Sequence, residues 1–107
     1  MRFDDETREV FRKRLLARGG VLARELAELM GGKDKTRAIA ALGLDKPGMT
    51  PEEILRAALA HVEKLRRWVV DGDDRYGRCH ACDVDLGKDA MLEVPWADAC
   101  RAHAGMV

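Results

Sequence analysis

Three cysteines and one histidine near the C-terminal end are the residues of this chain best suited to chemistry. They are Cys79, Cys82, Cys100 and His103, in the pattern C-x2-C-x17-C-x2-H. Each C-x2-C or C-x2-H half presents two ligand atoms on one tight turn, and the loop between the halves folds them around a single tetrahedral ion. Thiolate and imidazole donors suit Zn²⁺, and four protein ligands leave no open position for water. The expectation is one structural zinc, not a catalytic one. Three thiolates, one neutral imidazole and Zn²⁺ sum to a formal charge of −1. The metal would also supply stability that a short segment of low apolar content cannot draw from a core. Two other readings exist for the cysteines: three free buried thiols, or a redox C-x2-C. The second lacks the strand–helix context such motifs use. His80 is the rival nitrogen, but it sits between Cys79 and Cys82, where a side chain normally points away from the ion. His61, beside Val62, reads as a partly buried core histidine.

The totals narrow what such a site serves. A chain of 107 residues makes one domain, or one domain with a small appendage. Nineteen basic and nineteen acidic residues cancel, which argues against a dedicated duplex-DNA binder needing a basic excess for phosphates. The basic group Arg66, Arg67, Arg75 and Arg78 reads as a solvated helix end beside Asp71, Asp73 and Asp74. A charged fraction of 36% with 5% aromatics fits long solvated helices. The polar N-terminus shows no signal peptide, and no apolar run approaches the ~20 residues of a membrane span. A cytoplasmic location is therefore expected, where thiols stay reduced. An odd cysteine count also fits a metal site that recruits one histidine better than it fits disulfides. No Ser/His/Asp set and no phosphate-binding glycine loop is evident, so no enzymatic activity is expected.

Two long helices must position the site. Residues 4–30 carry Phe11, Leu15, Leu22, Leu26 and Leu29 on one stripe, with Asp4, Asp5 and Glu6 where the helix dipole favours acids. Gly19-Gly20 interrupts the composition but not the phase of the stripe, so one continuous helix is expected, ended by Gly31-Gly32. Thr50-Pro51-Glu52-Glu53 is a helix start with a capping box. The helix over residues 51–70 has the seam Leu55, Ala58, Val62, Leu65 and Val69, a heptad spacing suited to a helical partner. "DGDD" at residues 71–74 ends it. Residues 33–44 are open between loop and short helix. The predicted fold is mainly α: an antiparallel helical hairpin over residues 1–74, with or without a short third helix at residues 34–43, then a small treble-clef-like zinc finger over residues 75–107.

The finger resembles that of the DksA/TraR family of bacterial transcription regulators. The residues that carry the resemblance are Tyr76-Gly77-Arg78-Cys79, Cys82, Leu86, and Pro95-Trp96-Ala97-Asp98-Ala99-Cys100. The preceding "HVEKLRRWVVDGDD" is similar to the helix that enters the family's finger. His103 stands where the family usually has a fourth cysteine, and Asp83 stands at a family glycine. "DGDDRYG" is two residues longer than the family's usual turn. The resemblance implies direct binding to RNA polymerase, with the coiled coil inserted through the secondary channel and acidic residues at its tip. Some members act with the alarmone ppGpp, and promoter DNA is not contacted. The family's D-x-x-D-x-A tip is not reproduced, since Arg37 stands where the second acid would. Asp34 and Asp45 are the acids available there. The alternative is a zinc-stapled helical module that binds another protein and never enters the channel. A slender hairpin would favour insertion; residues 34–43 folded onto the hairpin would count against it.

Overall fold

The computed structural model describes residues 1–104 and is mainly helical. Helix α1 spans Asp5–Met30, α2 Thr36–Ala41, α3 Pro51–Asp71 and α4 Lys88–Glu93, and a 3-10 turn covers Arg101–His103. Among the described residues there is no β-strand, only an isolated antiparallel bridge between Arg78 and Asp85. No helix is long and apolar enough to cross a membrane.

Capping fixes where the long helices begin. The Asp4 carboxylate accepts from the Thr7 N–H at 2.7 Å, with Asp5 and Glu6 in the first turn of α1. At α3 the Thr50 hydroxyl accepts from the Glu53 N–H, and the Glu53 carboxylate accepts from the Thr50 N–H, both at 3.2 Å. This is the reciprocal capping box that the sequence announced. The left-handed Gly72 closes α3.

Helix α1 runs through Gly19-Gly20 without a break. The two glycines differ in their surroundings. Gly19 is buried on the seam, where an added Cβ would lie 3.8 Å from Val62 and 3.6 Å from the Glu63 carboxylate. Gly20 faces solvent with nothing within 4 Å of that position. Replacing Gly20 by alanine restricts the unfolded chain and meets no neighbour. Gly20→Ala is expected to raise stability by about 1 kcal/mol. Urea denaturation of the zinc-loaded protein checks this, and a lowered midpoint would contradict it.

The two long helices pack antiparallel. Arg8, near the start of α1, donates to the Val69 carbonyl near the end of α3 at 2.9 Å. Gly19 meets Val62 midway, and Leu29 and Met30 share a surface recess with Pro51. Phe11, Leu15 and Leu22 interlock with Leu55, Val62, Leu65 and Val69, all nearly inaccessible to solvent, while Leu26, Leu29 and Ala58 are partly buried against them. Tyr76 and Met91 extend this same apolar cluster into the cysteine-bearing segment.

Residues 33–44, left open by the sequence, contain the short helix α2. Asp34 accepts from both the Thr36 N–H and the Thr36 hydroxyl, at 3.0 and 2.7 Å, which starts the turn. Ile39 is the one α2 side chain buried in the common cluster.

Candidate metal centre

Each half of the cysteine pattern is shaped by its own backbone hydrogen bonds. In the first half, the Leu86 N–H donates to Gly77 and the Cys79 N–H donates to Val84, at 2.8 and 2.9 Å. These two bonds flank the Arg78–Asp85 bridge and turn residues 77–86 into a narrow loop. The Asp83 N–H returns to the Cys79 carbonyl at 2.8 Å, with Asp83 left-handed at φ 63°. Aspartate tolerates that conformation better than most residues, so the chain reverses after Cys82 without glycine. In the second half the 3-10 turn brings the His103 N–H to the Cys100 carbonyl at 3.0 Å, setting both side chains on one side. A hydrogen bond of 2.8 Å from the His80 N–H to Asp98 ties the halves together.

The result is a four-ligand cluster. The ligand atoms of Cys79, Cys82, Cys100 and His103 all lie within 4.8 Å of one another. A tetrahedral zinc with ordinary bond lengths has S···S edges of about 3.8 Å and S···N edges of about 3.5 Å. Cys82 Sγ and Cys100 Sγ are 3.8 Å apart, and Cys79 Sγ lies 3.6 Å from His103 Nδ1. The Cys100 Sγ–His103 Nδ1 separation is shorter, 3.1 Å. The cluster therefore fits one tetrahedral ion, with Nδ1 as the imidazole donor, and among the described residues no fifth Cys, His, Asp or Glu joins it.

The local field favours thiolate at the most enclosed ligand. Burial disfavours ionisation of Cys79, but N–H groups of Cys100, Cys82 and Ala81 point at its sulfur, and the Cys82 thiol adds to them. Together they outweigh burial and bring the thiol down to about 6. For Cys82 the Val84 N–H favours the thiolate, yet burial and the neighbouring sulfurs of Cys79 and Cys100 push it up. A divalent cation relieves that mutual repulsion of sulfurs. Cys79 is buried, Cys100 and His103 are half-buried, and Cys82 is exposed.

The other sequence candidates lie elsewhere. His80 is exposed and outside the cluster. His61 stands half-buried on α3, its Nε2 3.3 Å from the Trp96 carbonyl and 3.6 Å from the Asp98 carboxylate. Asp34 and Asp45 are both exposed in the segment between α1 and α3. Hydrogen bonds from the Thr36 N–H and hydroxyl hold the Asp34 carboxyl below its usual value.

What fixes the metal segment to the helices was not read from the sequence. Tyr76 is fully buried, its hydroxyl donates to the Pro95 carbonyl at 2.8 Å, and burial pushes that hydroxyl's pKa up. Its ring meets Phe11 and Phe3 at centroid distances of 5.2 and 6.1 Å, and Phe3 meets Phe11 at 5.0 Å. Arg2 adds a second clamp, donating to Asp85 and to the Asp74 carbonyl at 2.7 Å and to the Tyr76 carbonyl at 2.9 Å. Gly77 is required beneath them. It has φ +83°, and a Cβ there would lie 3.0 Å from the Arg2 guanidinium and 3.2 Å from the Phe3 ring. On the other side Arg18 lies over the Trp96 ring at 4.2 Å, and Arg14 donates to the Leu92 carbonyl. One signal was available: the only tyrosine and both phenylalanines of an aromatic-poor chain converge here.

No family model, curated protein or solved structure matches this chain.

Proposed function

We propose that the chain is a non-enzymatic, DksA/TraR-like transcription regulator that binds RNA polymerase directly. In this reading the Cys3His cluster holds one structural zinc in a treble-clef-like finger. The α1–α3 pair is a helical hairpin presented to the polymerase, with ppGpp as a candidate co-effector. The observation that carries the proposal is the joining of the closed Cys3His cluster to the antiparallel helices through Tyr76, Gly77 and Pro95, the positions on which the family resemblance rests. A closed shell leaves the metal no water to activate, so the activity belongs to the protein surface. Balanced charge supports a protein partner over DNA.

One observation favours a second reading. Helix α2 is folded onto the long helices with Ile39 buried, which thickens the end remote from the zinc. Asp34 is engaged with Thr36, and Lys33, Lys35, Arg37 and Lys46 surround the segment. This counts against entry into a narrow channel in the conformation described. The second reading keeps a zinc-stapled helical module but has it contact its partner from outside.

A pull-down of bacterial RNA polymerase by the zinc-loaded protein tests the proposal. Binding at micromolar protein is expected, and its absence would overturn the polymerase reading. In-vitro transcription with Asp34→Asn and Asp45→Asn separates the two modes. Channel insertion predicts loss of regulation with binding retained, whereas an external contact predicts no change.

A further inference from the structure

We infer that α2 is a releasable latch over the far end of the α1–α3 pair, with Lys35 as its bolt. Its use in regulation rests on the function proposed above, but its existence does not. Helix α2 has six residues, far fewer than a helix needs to persist by itself. Its seat must hold it, and that seat is incomplete. Within α2 only Ile39 is fully buried, with Leu42 and Leu44 after it partly buried against the same core. An open cleft of about 390 Å³ lined by Ile39, Pro47, Met49 and Ile54 lies beside its contact with α3.

The charged and polar side-chain ties run to α1. Lys35 Nζ lies 3.0 Å from the Glu25 carboxylate and 2.7 Å from that of Glu28. The Lys35 and Glu25 side chains are only 14% and 13% exposed, so salt and water screen this pair less than a surface bridge. One ammonium thus bridges two carboxylates, leaving the trio a formal charge of −1, and removing it would set those carboxylates against each other. The second tie is weaker: Arg18 Nη2 donates to the Leu42 carbonyl at 3.3 Å. The connectors on both sides contain a glycine. Gly32 and Gly43 adopt positive φ with nothing packed within 4 Å of a Cβ position.

A segment with one fully buried and two partly buried apolar residues and a single charged bolt opens at lower free energy than the long helices it rests on, whose seams bury several side chains each. Opening removes α2 from the end of the pair and leaves α1 and α3 as its slender remainder. The latch therefore links the two modes of polymerase contact as closed and open states of one chain.

Hydrogen exchange of the full zinc-loaded chain tests this without polymerase, so failure of the latch and failure of polymerase binding give separate results. The probes are the amides of Ile39, Leu42, Gly43 and Leu44, whose acceptors lie within residues 35–40. They are expected to exchange at least about a hundredfold faster than the central amides of α3. Lys35→Met should accelerate them about tenfold further with α3 unchanged, and Lys35→Arg should restore most of the protection. Glu28→Gln serves as a second variant, with a smaller acceleration in the same amides. Equal protection of α2 and α3 in the wild type would overturn the latch. So would acceleration spread evenly over α1, α2 and α3, or no response to Lys35→Met and Glu28→Gln.

Discussion

Cys79→Ser is expected to bring the metal content from one zinc per chain to less than about a tenth, and to unfold the segment from Gly77 to His103. Cys79 is the buried ligand, and its sulfur receives the backbone N–H groups that favour thiolate. A serine there is a poor zinc ligand that still leaves those donors pointing at it. The segment has little else to hold it. Its described elements are one bridge, a six-residue helix and a three-residue turn, and apparent zinc-binding energies in such sites reach roughly 10–16 kcal/mol. The core cluster that holds Phe11, Leu15, Leu22, Leu55, Val62 and Leu65 includes none of the four candidate ligands. Most helical circular dichroism should therefore survive while exchange protection in residues 77–104 is lost. Metal analysis after chelator-free purification measures the first effect, and hydrogen exchange the second. Cys82→Ser, at the exposed ligand, should be milder. His103→Ala should lower zinc affinity by at least about tenfold, and His103→Cys should preserve it. Zinc content near zero in the wild type would reject the metal centre. Unchanged affinity in His103→Ala would reject Nδ1 as a ligand.

Tyr76→Ala should be the most damaging substitution outside the metal ligands. It removes a fully buried ring packed on Phe3 and Phe11 and leaves the Pro95 carbonyl without its donor. The cavity and lost contacts together cost about 3–5 kcal/mol. Tyr76→Phe keeps the ring and isolates the hydrogen bond, for which about 1–2 kcal/mol is expected. Thermal unfolding of the zinc-loaded proteins should rank them wild type, Tyr76→Phe, Tyr76→Ala, with a shift of roughly 4–8 °C for each kcal/mol in a domain of this size. Because Tyr76 spans the junction, the alanine variant should also free the metal segment from the helices. It should lose the protection of Met91 and Pro95 neighbours before zinc itself is released. If both variants melt with the wild type, Tyr76 is not the junction.

These two predictions rest on different kinds of information. The cysteine spacing by itself pointed to the Cys3His cluster that the fold assembles, because a tetrahedral ion needs two close pairs and a loop to join them. Helix starts and stops were equally local. The capping box at Thr50 and the carboxylate of Asp4 act on N–H groups three residues away, so their presence in the sequence is almost their presence in the fold. The phase of the α1 stripe carried through Gly19-Gly20 for a similar reason: a seam facing α3 outweighs the propensity of two residues.

Tertiary structure decided the rest. Residues 33–44 were ambiguous because six residues cannot hold a helix by propensity alone; α2 exists through Ile39 in the common core and Lys35 between two glutamates of α1. The junction of Phe3, Phe11 and Tyr76 brings together residues more than sixty positions apart, and no local period encodes such a meeting. Arg2 on Asp85 and Arg18 on Trp96 are of the same kind. A ligand set with fixed spacing is legible because its geometry is written in neighbouring residues. Whether the opposite end of the molecule is slender or covered is a matter of which distant side chains pack together, and only the folded chain settles that.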